Sequence, residues 1–285
     1  MAAKTFTDFA LRLHDDDATK TWGGHVSSDT GTPVHDLQAA LAAVGVFDLT
    51  QDGAFGKNTQ DAVKRLQWNL RNTKFRIVGG ALQARTPSAG VSVSGVADSA
   101  FAAELTAWTA AGAAATGTLM RVDLAAFPRL TDNFRTIDNP SIHDGDLIVD
   151  DGFLGSLQKL NDAAAGANVI LPVNQAFRVA GVPVGGAVVR PATKSQHLIG
   201  HAIDCNIQDG AILVSSNSFA GHHETPAAKA FVRAAKAAGL RWGGDFTPVD
   251  YVHFDDFVPP NGDEFAMRYF FNQRTISKRQ PVPPP

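Results

Sequence analysis

The chain has 285 residues, 44% of them hydrophobic and 19% charged, with a formal net charge of −3, which suits two modest domains, each with its own core. No apolar run approaches the roughly 18 to 20 residues of a membrane helix, so a spanning segment is not expected, and the slight acidic excess argues against nucleic acid, whose binding needs clustered Lys and Arg against phosphate. A single cysteine excludes an intrachain disulfide, leaving packing or a bound metal to supply stability.

The first residues, MAAKTFTDFALRLHDDD, lack the basic start, apolar core and small-residue cleavage site of a secretory signal. Residues 1–31 read as an N-terminal extension. In VHDLQAALAAVGVF, residues 34–47, Val34, Leu37, Leu41 and Val44 recur at spacings of three and four, the apolar stripe of an amphipathic helix that Gly45 ends. Asp52-Gly53 and Gly56 then signal a tight reversal with Phe55 as its apolar plug. A second helix from about Thr59 turns Ala62, Val63, Leu66 and Leu70 inward. Residues 71–92 carry Gly-Gly and Pro without a sustained period and read as a loop or short hairpin. A third helix starts at Asp98 as N-cap, with Ala100, Phe101, Leu105 and Trp108 behind it. The tract TAAGAAATGT reads as its fraying end.

LQAAL (37–41), DGAFGKNTQDAV (52–63), RLQ (65–67) and SGVADSAFAAEL (94–105) resemble the three-helix peptidoglycan-binding domain of cell-wall hydrolases. The resemblance covers residues 32–112 and implies an all-α domain that holds its protein on the wall.

Residues 113–149 have scattered apolar positions among Asp, Asn and Pro breakers and read as a linker. In the next domain, residues 150–275, Leu154, Leu157 and Leu160 mark a helix. NVILPVNQAF reads as a strand whose proline suggests an edge or a break. PAAKAFVRAAKAAG, residues 226–239, opens on Pro and closes on Gly as a helix does. A strand at YVHF completes an α+β pattern, and residues 276–285 form a proline-rich tail.

The stretch KSQHLIGHAIDCNI, residues 194–207, gathers His197, His201, Asp204 and Cys205. As a strand from 201 onward, it places His201, Ile203, Cys205 and Ile207 on one face, mostly apolar and turned to the core, and Ala202, Asp204 and Asn206 on the other. Asp204 and His197, on the entering loop, are then two candidate ligands. A hydrolytic zinc site needs three protein ligands and an open position, and the best third is His253 in DYVHFDD. Asp250, three residues before it, is placed to act as general base toward the attacking water.

SQHLIGHAID (195–204), RWGGDF (241–246) and DYVHFD (250–255) resemble the signature segments of the M15 zinc peptidases, which include VanY-like D-alanyl-D-alanine carboxypeptidases and phage L-alanyl-D-glutamate endopeptidases. The resemblance implies one zinc per chain on His197, Asp204 and His253, Asp250 as catalytic base, and Arg178 facing the substrate carbonyl or developing oxyanion. Ser195 would contact the substrate or orient the site, and Trp242 would wall the cleft. His201 and Cys205 are expected to pack, and His222 and His223 to lie on a loop or the cleft rim. Together the two resemblances imply a monomeric peptidoglycan hydrolase cutting the stem peptide, of the phage endolysin type released from the cytoplasm by a holin. The rival readings are a D-Ala-D-Ala carboxypeptidase and a wall-binding virion or effector protein.

Overall fold

The computed structural model describes residues 3–133, 142–143, 146–182 and 193–284, and the chain divides into two compact units, Met1–Gly117 and Thr118–Pro285. In the first unit, a hairpin of β1 (Thr21–Trp22) and β2 (His25–Val26) precedes α1 (Pro33–Ala43) and α2 (Lys57–Asn72). There follow β3 (Phe75–Val78), β4 (Ala81–Ala84), α3 (Ser99–Ala110) and β5 (Ala113–Ala114). Leu37, Leu41, Leu66, Leu70, Phe101 and Leu105 are fully buried, so the three helices turn their predicted stripes inward, except that Ala100 at the start of α3 is exposed. Asp98 caps α3 by accepting the Phe101 N–H at 2.9 Å, and Phe55 is buried in the turn before α2.

Three details depart from the sequence reading. The residues before 32 are an integral part of the unit rather than an appendage. Leu11 and Trp22 are buried, and Asp17 caps α1 by accepting the N–H groups of Val34 at 3.1 Å and His35 at 2.9 Å. The unit is also not purely helical, because β4, β3 and β5 form a small sheet. Gly79 and Gly80, at φ of 60° and 81°, supply the left-handed pair that a two-residue hairpin needs. Finally, the alanine tract does not fray. Gly112, at φ 58°, stops α3, and the chain continues as β5 against β3, with Val78 opposite Ala113.

In the second unit, β6 (Leu119–Asp123) pairs with β9 (Asp146–Asp150), which also pairs with β8 (Ile142–His143). The expected linker is therefore partly strand: Leu119, Met120 and Val122 are buried, a segment too short for its pattern to stand out among the breakers. The main sheet has the order β14-β15-β11-β10-β7. Its strands are β7 (Leu130–Asp132), β10 (Leu171–Gln175), β11 (Ala202–Cys205), β14 (Arg241–Trp242) and β15 (His253–Asp255). Pro172 thus sits in an interior strand, not at an edge. It is tolerated because pairing with β11 begins only at Val173, beside a register shift, and its carbonyl still accepts the Asn206 N–H at 2.9 Å. A hairpin of β12 (Ile207–Asp209) and β13 (Ile212–Val214) leads to α5 (Ser216–Ala220).

Helices α4 (Leu154–Gly166) and α6 (Pro226–Ala237) cover one face of the main sheet. Leu157, Leu160 and Phe231 join Val173, Ile203, Cys205 and Phe254 there in one core. The α7 helix (Asp263–Ser277) overruns the start assigned to the proline-rich tail. Its extent was obscured by aromatic residues spread around its whole circumference. The tail itself is fastened, since Pro283 accepts the Arg121 N–H of β6 at 2.8 Å.

Candidate metal centre

Strand pairing brings the expected ligands to the face of the main sheet opposite the α4 and α6 core. Asp204 of β11 lies opposite His253 of β15 in the register, and Ile203 opposite Phe254. Because side chains alternate along a strand, Asp204, His253 and Asp255 leave by one face while Ile203, Cys205 and Phe254 fill the core on the other. His197 comes from the 3-10 turn Gln196–Ile199 that enters β11. The Ser195 hydroxyl caps that turn by accepting the His197 N–H at 3.4 Å. Gly200 ends the turn at φ 80°, where a Cβ would stand 2.6 Å from the Asp150 nitrogen. Only glycine fits there.

Each histidine has one ring nitrogen committed outward. His197 Nδ1 lies 2.6 Å from the Ala176 carbonyl, which can only accept, so Nδ1 carries the hydrogen and Nε2 points inward. His253 Nε2 lies 2.8 Å from Asp255 Oδ2, which leaves Nδ1 inward by the same reasoning. The three inward atoms form a nearly equilateral triangle: His197 Nε2 to Asp204 Oδ1 at 3.0 Å, His253 Nδ1 to the same oxygen at 3.1 Å, and the two nitrogens 3.0 Å apart.

This donor set fits a metal ion. Two imidazole lone pairs and a carboxylate oxygen at such separations repel unless a positive charge sits among them. Tetrahedral zinc with bonds of about 2.0–2.1 Å would set its ligands about 3.3 Å apart, close to the observed edges. The electrostatics point the same way. Burial opposes a charge on His253, but its bonds to Asp204 and Asp255 outweigh that and push its pKa up to about 10. Burial likewise disfavours a charged Asp204, yet the two histidines hold it well below the usual carboxylate range. Among the described residues these are the ones grouped as a candidate metal site, and a metal would take the place of the bound proton.

Asp250 stands at the same centre, close enough to interact electrostatically with Asp204, His253 and His197; burial first, and the Asp204 charge second, push its carboxyl above the ordinary range. Its backbone is pinned in a tight turn, its N–H donating to Gly243 O at 2.8 Å and its carbonyl accepting from His253 N at 3.1 Å. A Cβ on Gly243 would lie 2.0 Å from that Asp250 carbonyl, so the first glycine of RWGGDF exists to let this turn close. Arg178 is almost fully buried at 8% exposure. Burial lowers its pKa, against the opposing charges of Asp204 and Asp250, which places its guanidinium in their field.

Trp242 is elsewhere. It lies opposite Phe254 in the register, while its neighbour Arg241 lies opposite Asp255, so its ring leaves by the core face, away from the metal ligands. There it donates Nε1–H to Tyr251 O at 2.9 Å and packs against Phe219; a role in walling the metal-side cleft does not suit that position. His201 is a buried ion-pair partner. Its Nδ1 bonds Asp256 Oδ1 at 2.8 Å, and its Nε2 lies 3.2 Å from Asp150 Oδ1, off the direction a hydrogen bond would need. Cys205 is buried in the core, and burial raises its thiol pKa. His222 and His223 are exposed on the loop between α5 and α6.

Sequence reasoning did not find the residues that support this centre. Asp255, completely buried, accepts from His253 and is clasped by Arg241 through Nε at 2.6 Å and Nη2 at 2.7 Å. The Arg241 guanidinium in turn lies over Phe257 and Phe246, at 4.0 and 5.0 Å from their ring centres. The signal was the acid two residues beyond His253 in HFD, which alternation places on the ligand's own face.

Residues 189–256 match the family model described as D-alanyl-D-alanine carboxypeptidase, and residues 30–71 match a putative peptidoglycan binding domain. These are the family and the two-module layout to which the sequence motifs point. A comparison with curated proteins gave no match. No helix among the described residues is long and apolar enough to cross a membrane.

Proposed function

We propose that this cell-wall peptidase is a zinc enzyme that cuts the peptidoglycan stem peptide, with His197, Asp204 and His253 holding the ion. The observation that carries the reading is the closed triangle of inward donor atoms with Asp250 and Arg178 beside it. Zinc at such a site supplies Lewis acidity to a scissile carbonyl and makes water a stronger acid. Asp250, its pKa raised by burial, takes the proton from the attacking water and returns it to the leaving amine. The Arg178 guanidinium offers fixed N–H donors to the carbonyl oxygen as charge develops on it.

The peptidoglycan-binding domain raises the local concentration of the peptidase at an insoluble polymer, which accounts for the fusion without a new catalytic contact. The bond we assign is L-Ala-D-Glu, in an endolysin released by a holin. The family description itself favours a second reading, removal of terminal D-Ala. Mass spectrometry of digested sacculi separates them: new N-terminal D-Glu supports the endopeptidase, and loss of D-Ala alone overturns it. If His197→Ala and His253→Ala bind zinc as the parent does and still digest sacculi, the metal centre itself is wrongly assigned.

A further inference from the structure

The peptidase match ends at residue 256, yet α7, beyond it, bonds the two segments that carry Arg178 and His197 through the side chain of Gln273. Gln273 donates Nε2–H to the Arg178 carbonyl at 2.9 Å and to the Leu198 carbonyl at 2.7 Å, and its Oε1 accepts the Ala180 N–H at 2.7 Å. Both amide hydrogens and an oxygen lone pair are thereby used. The residues it ties flank the functional side chains: Arg178 itself and its near neighbour on one segment, and the residue after His197 on the other. A direct bond already joins these segments, Arg178 N–H to His197 O at 2.9 Å, and Gln273 supplies the bonds on either side of it.

The helix behind Gln273 is firmly seated. Phe271 and Asn272 are buried, and Asn272 accepts the Thr118 N–H at 2.9 Å while donating to Asp150 at 2.8 Å and Ile199 O at 3.0 Å. Without Gln273, the Arg178 and Leu198 carbonyls would lose their shared donor and the two segments would lose their common tie.

We infer that Gln273 is a positioning residue, holding Arg178 at the angle from which its guanidinium meets the substrate carbonyl, and that α7 is therefore part of the catalytic apparatus. This rests on the reading of Arg178 given above. A misplacement of about 1 Å in a positioned group can cost on the order of 10²-fold in rate, and that is the loss expected in kcat for Gln273→Met, with KM and zinc affinity near the parent values. Amide hydrogen exchange at Ala180 should accelerate in the same variant, a readout independent of activity.

The decisive measurement is a double-mutant cycle in the full chain. In an Arg178→Ala background, Gln273→Met should produce no further loss of kcat, because the group it positions is gone. An equal loss in both backgrounds would show that Gln273 does not act through Arg178 and would overturn the inference while leaving the Arg178 reading intact. If Arg178→Ala alone leaves kcat unchanged, the Arg178 reading fails first and takes the inference with it. Gln273→Glu, which keeps the acceptor for Ala180 and loses both donors, is the second variant; full kcat there overturns the proposal, and a loss with retained zinc affinity supports it.

Discussion

Replacing Asp255 by asparagine tests whether the metal centre depends on the residues behind it. His253 presents Nδ1 to the centre only while its Nε2–H has an acceptor, and that acceptor is Asp255 Oδ2 at 2.8 Å. The carboxylate is itself immobilised by Arg241 Nε at 2.6 Å, Arg241 Nη2 at 2.7 Å and the Phe257 N–H at 3.1 Å. An amide in its place would retain one acceptor oxygen but lose the charge that makes His253 a more basic ligand, and its two hydrogens would face the Arg241 guanidinium. Losing such a supporting partner costs about 10–100-fold in metal affinity, or about 1.4–2.8 kcal/mol. Arg241 keeps its stacking on Phe246 and Phe257, so the variant should fold. Competition against a chromophoric chelator at fixed pH gives the zinc Kd directly. Arg241→Ala should weaken binding in the same direction but less, since it acts only through Asp255. Wild-type affinity in a folded Asp255→Asn chain would refute the claim that this carboxylate fixes the ligand.

Three further outcomes are expected. Burial opposes a charge on His201, but Asp150 and Asp256 raise its pKa from 6.5 to about 9; the resulting stability, on the order of 3 kcal/mol, is fully present below pH 6.5 and lost as pH rises through 9. Denaturant unfolding of wild type and His201→Gln should therefore converge by that amount between about pH 6 and pH 10, and a gap that stays constant would remove the protonated His201 from the account. Asp250→Asn should bind zinc normally and lose about 10²–10⁴-fold in turnover, so an unchanged kcat excludes Asp250 as the base. Trp242→Phe should lose the bond to Tyr251 and about 1 kcal/mol of stability while kcat and KM on sacculi stay put; a raised KM at full stability would return Trp242 to the substrate cleft.

What could be read from the sequence divides along a physical line. Periodicity within a single element needs only local spacing, so the stripes of α1, α2 and α4, the Asp98 cap and the parity of residues 201–207 were all legible. Parity even separated Asp204 from Cys205 with no knowledge of the fold around them. The same rule, applied to RW beside HFD, would have separated Arg241 from Trp242, had the pairing of β14 with β15 been known. Pairing is a long-range fact, and a two-residue strand carries no pattern of its own. Likewise β6 and α7 were missed or misjudged: one is five residues long, and the other presents Phe265, Tyr269, Phe270 and Phe271 in directions that no single stripe contains.

The glycines show the limit most clearly. Gly200 and Gly243 stand in plain view in the quoted motifs, but the reason for each lies elsewhere in the fold. The Gly200 side-chain direction is occupied by the Asp150 backbone, from a strand far earlier in the chain, and that of Gly243 by the Asp250 carbonyl. Gly243 therefore constrains chemistry rather than chain reversal alone. The turn it permits carries the Asp250 carboxyl at one end and His253 at the other, joined by the His253 N–H to Asp250 O bond. A methyl group at residue 243 would push that whole turn outward, moving the proposed base and a proposed ligand together. Base and ligand thus share one backbone hinge point, and their relative geometry is set by a residue with no side chain.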